Sequence, residues 1–583
     1  MRGGGRMKFP TLNEIPTSRS IIDIFLGYNH NLRIRENEFY DMKNLTSTHY
    51  PILSPRNKRG TYVEVSNPLG MIAKDALCYV DGSKFFINEY PIEMGLNDKP
   101  KQLISMGAYV IIMPDKKYIN TINHDNGDIE AEFTTTEDVT FSLCKLDGTD
   151  YESISDTKPE DPKNMDLWLD ISSTPHTLKQ YSETSATWVT IPTTYIKISS
   201  PGIGASFKQY DGVTISGIVA EGLQDLNATM VVWECNEDYI VVIGMLDEFT
   251  VQTVGEGSVT ISRKMPEMDF IVESENRLWG CKYGALANGD VVNEIYSCKL
   301  GDFKNWNCFM GVSTDSYAAS CGTDGQFTGA ITHLGYPLFF KENCVHKVYG
   351  NYPANFQIQT TSCRGVQKGC ANSLAIVNEV LYYKSKNAVC AYDGSLPTEI
   401  SSAFGEVAYF DAVACSHGNK YYISMKDTFG EYHLFVYDTA KGLWHREDNL
   451  AVKHFCSCRN ELYFVEQDSP FIKTMFGSGT ADKEPVSWMA ETGLIGTSLT
   501  DRKYISRMNV RMSLDVGTKI HFFIEYDSCG LWENIFTMTS ASLRSFTVPI
   551  RPKRCDHFRL RIVGEGNAKI FSISKTIEQG SDV

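Results

Sequence analysis

Four stretches of this chain decide its fold: GYPLFFKENCVHKVYG (335–350), EVLYYKSKNAVCAYDG (379–394), NKYYISMKD (419–427) and NELYFVEQD (460–468). Each centres on an aromatic pair, Phe339-Phe340, Tyr382-Tyr383, Tyr421-Tyr422 or Tyr463-Phe464, set between apolar runs and polar turns. The second members of successive pairs stand 43, 39 and 42 residues apart. A period of about 40 with several short strands per repeat is the pattern of β-propeller blades. A single blade cannot bury its own apolar face, so such units must stack around an axis.

The pattern extends upstream. MDFIVESENRLWGC (268–281) supplies a further unit, and ALCYVDGSKFFINEYPIEM (76–94) and LISMGAYVIIMPDKKYINTI (103–122) supply two earlier ones. Asp81-Gly82 between apolar runs is a hairpin-turn signal. The expectation is an all-β chain built on a propeller of about seven blades, two before an interruption and five after it. In FVYDTAKGLWH (435–445), Asp438 reads as the cap of a turn and Trp444 as filler between blades.

The interruption has its own texture. Residues 125–190 carry 15 acidic and 4 basic side chains, a local balance of −11, which reads as a solvated segment. Strand-dense text returns over 195–263 and predicts a small inserted β-barrel or sandwich. The closing hundred or so residues alternate apolar and polar positions and predict a jelly-roll-like β-sandwich. The expected organisation is an arm over 1–66, propeller over 67–124 and 266–478, an acidic and inserted part over 125–265, and a sandwich over 479–583.

Bulk properties exclude some classes. The net charge of −16 argues against general nucleic-acid binding, which needs a Lys/Arg surplus. No apolar run approaches the roughly 18 residues of a membrane-spanning helix. The opening MRGGGRMKFPTLNEIP lacks the apolar core of a secretory signal, and Met7 reads as the natural initiator. Sixteen cysteines scattered over 583 residues read as buried reduced thiols rather than a disulfide framework.

Few residues point to chemistry. His454, Cys456 and Cys458 alternate along one expected strand, but side chains two apart converge poorly on one ion, and core packing is the preferred reading. No phosphate loop and no Gly-x-Ser-x-Gly elbow is present. DSCGLW (527–532) is similar to the Asp-box turn of sialidase propellers with its glycine displaced by one, and reads as a turn closed by Gly530 with Trp532 packed inward. No cofactor, metal or catalytic residue is expected. Basic clusters stand out against the acidic chain: Arg33, Arg35, Arg56, Lys58 and Arg59 in the arm, and Arg544, Arg551, Lys553, Arg554, Arg559 and Arg561 near the end. They read either as a salt-bridged face or as docking sites for an acidic neighbour.

FLGYNHNLRIRENEFYDMKNLTSTHYPILSPRNKRG (25–60), MDFIVESENRLWGC, LFFKENCVHKVYG and RCDHFRLRIVGEG resemble virion proteins of tailed bacteriophages, in the family of stabilisation or tail proteins. The resemblance implies a non-enzymatic virion protein made in the bacterial cytoplasm. It implies a six-fold ring of identical subunits at the neck or tail, meeting portal, adaptor or other tail proteins. DNA would pass through its lumen without sequence-specific binding and without membrane contact. The alternative is a receptor-binding or adhesin-type protein recognising host-surface glycan, with Trp532 and Phe536 as the sugar-binding rings; a hydrolase is the third class.

Overall fold

The computed structural model describes residues 17–246, 249, 252–255, 259–498 and 500–579. Met7 lies outside them. The described chain is all-β: antiparallel sheets dominate, and the only helical elements among the described residues are single 3-10 turns. No helix among them is long and apolar enough to cross a membrane. All sixteen cysteines are free thiols, eleven of them buried. The chain divides into two compact units, Gly82–Ser362 and Met1–Asp81 with Cys363–Val583.

In the unit Gly82–Ser362, four-stranded antiparallel sheets cover 102–128, 270–320 and 329–362. Their first strands, Gln102–Met106, Phe270–Ser274 and Gly329–His333, lie beside one another in that order. Ile104, Ile111, Ile271, Leu278 and Trp306 fill the space between the first two sheets, and Trp279, Cys281, Phe339 and Val348 that between the last two. The intervening 131–263 forms three further sheets around a separate core that includes Phe141, Ile196, Ile240 and Ile261.

The other unit repeats the arrangement over 375–399, 409–446 and 452–481. The first strands Ala375–Val377, Tyr409–His417, Val452–Cys458 and Pro68–Lys74 again follow side by side. Each unit by itself is an open fan of sheets. Asp438 caps its turn, its carboxylate accepting the Ala440 and Lys441 N–H groups at 3.2 Å. Trp444 packs on Phe404 at 4.6 Å, between neighbouring sheets, and its indole N–H donates to the Ile400 carbonyl.

The N-terminal arm supplies strands to sheets formed by distant parts of the chain. Gly60–Glu64 pairs antiparallel with Phe471–Thr474 and so joins the 452–481 sheet. Thr17–Ile22 pairs with Ala568–Gln579, and Phe39–Lys43 with Ser487–Thr492.

The C-terminal region is one curled, half-open antiparallel sheet rather than a jelly-roll sandwich. Its spine is the 24-residue strand Lys503–Tyr526. The first half of the spine pairs with Ala568–Gln579 and the second half with Phe558–Glu565, while Glu533–Val548 runs along the other side. The register shifts around Leu514–Lys519, where Val516 is 94% exposed. A strand this long accumulates so much twist that its sheet must coil, and the irregularity absorbs the bend.

Candidate functional site

The sheets 270–320 and 329–362 hold a cleft between them. Two short turns form its lip. Glu275-Asn276 links Phe270–Ser274 to Arg277–Ala285, and both turn residues have positive φ (51° and 58°). Leu334-Gly335 does the same for Gly329–His333 and Tyr336–Lys341 (51° and 80°). Two-residue turns of this hand match the twist of the flanking strands. The Ser274 hydroxyl donates to the Gly335 carbonyl at 2.8 Å and fixes one turn against the other.

Behind the lip lies a cavity of about 340 Å³ lined by Glu275, Arg277, Trp279, Tyr336, Asn351 and Phe356, among others. Trp279 meets Phe356 edge-on at 4.9 Å, and Tyr317 meets Phe356 at 5.2 Å. Arg277 forms the floor. Its guanidinium donates to the carbonyls of Cys298 (2.8 Å), Asp315 (2.6 Å) and Ser313 (2.9 Å) and lies 5.6 Å from the centre of the Phe356 ring. Burial holds its pKa below the usual arginine value, and among the described residues no carboxylate side chain is hydrogen-bonded to it. Tyr336 packs on Tyr349 at 4.9 Å, and the Lys347 ammonium sits 4.3 and 4.8 Å from those two rings. The Glu275 carboxylate and the Asn351 amide at the rim have no hydrogen-bond partner among the described residues. The cleft therefore offers fixed ring faces beside unengaged polar heads, which is what a flat, hydroxyl-bearing ligand needs.

The basic residues singled out from sequence separate into distinct environments. Arg59 is 8% exposed, and its guanidinium binds Asp448 (2.7 Å) and Glu447 (3.2 Å). Arg56 donates to Asn44 at 2.8 Å beside the same two acids. Lys58 donates to the Lys483 carbonyl. Arg33 and Arg35 are exposed and border a separate groove of about 690 Å³, with no salt bridge among the described residues. Lys553 pairs with Glu533 at 3.2 Å and lies over Tyr526, while Arg551 and Arg554 are exposed.

Trp532 and Phe536 do not form the expected sugar platform. Arg561 and Arg559 lie over the Trp532 ring at 4.0 and 5.3 Å, held there by Glu491 and Glu525, and Phe536 packs against the core residue Phe522. His454, Cys456 and Cys458 sit on Val452–Cys458, where burial pushes the thiols up and His454 down to about 4. The cleft itself was missed from sequence. Its signal was present: a left-handed turn pair ahead of an aromatic, in SENRLW (274–279) and HLGYP (333–337).

No family model matches the chain, and no curated protein matches it. Solved structures do match. The exo-β-1,3-galactanase of Phanerochaete chrysosporium is 8% identical and has a TM-score of 0.21, over 52% of this chain and 95% of that one. Trypanosoma rangeli sialidase is 9% identical with a TM-score of 0.18, over 89% and 96%. Chaetomium thermophilum Raptor is 10% identical with a TM-score of 0.28, over 73% of this chain and 30% of its own length. These findings correct the sequence reading. The structures named here include carbohydrate-active hydrolases, and none of them is a phage neck or tail protein or a DNA conduit. The expectation that the chain is not an enzyme falls with them. At such low TM-scores the likenesses assign no activity or substrate to this chain.

Proposed function

We propose that this chain recognises carbohydrate through the cleft between the 270–320 and 329–362 sheets. The observation that supports this reading is the placement of Tyr336, Trp279 and Phe356 around a cavity whose rim carries the unengaged Glu275 and Asn351. A pyranose presents an apolar C–H face that packs on an aromatic ring, and hydroxyl edges that hydrogen-bond carboxylates and amides. Arg277 sets the floor: three of its five N–H groups are taken by backbone carbonyls, which fixes the guanidinium in place.

An array of neutral and acidic oligosaccharides, followed by titration calorimetry on the hits, tests the reading. Tyr336→Ala and Glu275→Gln are each expected to weaken binding about tenfold or more, since a ring contact or a charge-assisted hydrogen bond contributes about 1–3 kcal/mol. Absence of any bound glycan, or binding unaltered in both variants, overturns it.

A ring of about seven blades is part of the same proposal. Side-by-side first strands within each unit support it, as does Gly60–Glu64 completing a sheet whose other strands lie some four hundred residues later. Ring closure predicts that both units unfold in one calorimetric transition; two well-separated transitions would count against it.

A further inference from the structure

The turn after Lys503–Tyr526 and the loop before Phe558–Glu565 bring three side chains of complementary chemistry together. The Ser528 hydroxyl lies 2.8 Å from His557 Nε2, and His557 Nδ1 lies 2.9 Å from Asp556 Oδ2. With Nδ1–H donating to the carboxylate, Nε2 is left as the acceptor of the serine proton. That is the relay by which a histidine, oriented by an acid, activates a serine nucleophile.

The surroundings hold this arrangement firmly. Asp527 Oδ1 accepts the backbone N–H groups of Asp556 (2.7 Å) and His557 (3.3 Å), and the Asp527 N–H donates to the His557 carbonyl at 3.0 Å. Asp527 and Ser528 both have positive φ, 51° and 49°. A serine in this sparsely populated backbone region is held by its neighbours and thrust outward from the turn. The Ser528 N–H makes no hydrogen bond among the described residues and so is free to donate to a bound group. Ser528 is exposed and the His557 side chain is 18% exposed, so an acyl group can reach both. The His557 hydrogen bond, with a smaller contribution from nearby positive charge, keeps the Asp556 carboxyl below its usual range and so ionised at neutral pH.

We propose that Ser528, His557 and Asp556 form a second functional site, a serine nucleophile that attacks solvent-accessible carboxylic esters. Ser528 Oγ forms the new bond to the ester carbonyl carbon while His557 Nε2 takes its proton. The C–O bond to the alcohol then breaks and the alcohol leaves with that proton. Water, deprotonated by His557, releases the acid and restores the serine. The proposal is independent of the glycan cleft, which lies in the other unit and shares none of these residues.

The test uses the full chain with a fluorophosphonate probe and with p-nitrophenyl acetate. The expected result is one covalent adduct per chain, located at Ser528 by peptide mass mapping, with loss of fluoride. Ser528→Ala and His557→Ala are expected to abolish the adduct and return ester hydrolysis to the buffer rate. Asp556→Asn should slow hydrolysis about a hundredfold. Cys529→Ala controls for the neighbouring exposed thiol and should leave labelling intact. Thermal melts of all variants verify folding, and His557→Gln provides a second, similarly sized substitution should His557→Ala fail to fold. No adduct, an adduct on Cys529, or labelling that survives loss of His557 overturns the proposal.

Discussion

The two basic stretches of the N-terminal arm, Arg33 with Arg35 and Arg56 with Arg59, are alike in sequence and opposite in fate. Arg59 is closed in against Glu447 and Asp448, while Arg33 and Arg35 stand open beside a groove. The difference lies in what the neighbouring backbone does. Gly60–Glu64 is drawn into the 452–481 sheet, so the residue before it cannot remain outside. Residues 32–37 run as a loop between two strands in which Arg33 and Arg35 stay in solvent, while Ile34 packs against Gly493 and Glu36 reaches Lys575 at 2.7 Å. Charge along a chain does not distinguish a lock from a docking surface. Pairing partners do.

The largest expected effect tests the locked end. Arg59→Ala removes the nearer cation of Glu447 and Asp448, leaving them only Arg56 at 3.6 and 3.5 Å, and should cost about 3–5 kcal/mol. Chemical denaturation followed by tryptophan fluorescence measures it, and a loss under 1 kcal/mol would erase the contrast with Arg33. Next comes a buried group that avoids charge instead of pairing it. His346 is fully buried between the hydroxyls of Thr323 and Thr360, both at 2.8 Å, and burial pushes its pKa down to about 4. The unfolded chain takes up that proton near pH 6.5 and the folded chain only near 4. Stability contributed above pH 6.5 is therefore lost as pH falls through this window, by up to about 3 kcal/mol. His346→Gln should flatten the acid limb of a stability–pH profile.

Lys384 gives the mirror case at alkaline pH. It is 2% exposed, donates to the Gln367 side chain and to the Ser385 and Lys386 carbonyls, and is pushed down to about 8 by burial. Between pH 8 and 10.5 the unfolded chain holds the extra proton, so stability rises with pH there, by about 1–3 kcal/mol. Lys384→Met should remove that rise in urea titrations taken at successive pH values. The smallest effect belongs to the open end. Arg33→Ala and Arg35→Ala should each change stability by less than about 0.5 kcal/mol. A larger shift would show that these residues too are structurally engaged.

Much of the architecture was legible because its signals are local. Paired aromatics such as Tyr382-Tyr383 sit in central strands of four-stranded sheets, and Asp438 and Trp444 act as their sequence neighbourhood suggests. Asp211 closes a turn through its N–H to the Lys208 carbonyl, and only the tertiary structure shows that it is buried in an ion pair with Arg263 and that Gly212 opens a strand pressed against Asn307. Trp532 reads as packed inward, and as a sugar platform only in the glycan-binding alternative; the residues that cover it, Arg559 and Arg561, lie nearly thirty residues downstream. The cleft was hidden the same way: Glu275 and Asn351 are too far apart in sequence for any window to join them.

The sequence by itself determined that this chain is β throughout, that its sheets recur, and which aromatics they bury. Alternation and turn chemistry act between near neighbours, so they survive in one dimension. Tertiary structure alone decided which charges are enclosed, that the arm supplies strands to remote sheets, that the last segment is one coiled sheet, and which polar groups meet at Ser528 and in the cleft. Those outcomes depend on contacts between distant positions, whose free energy exists only after the backbone has brought them together.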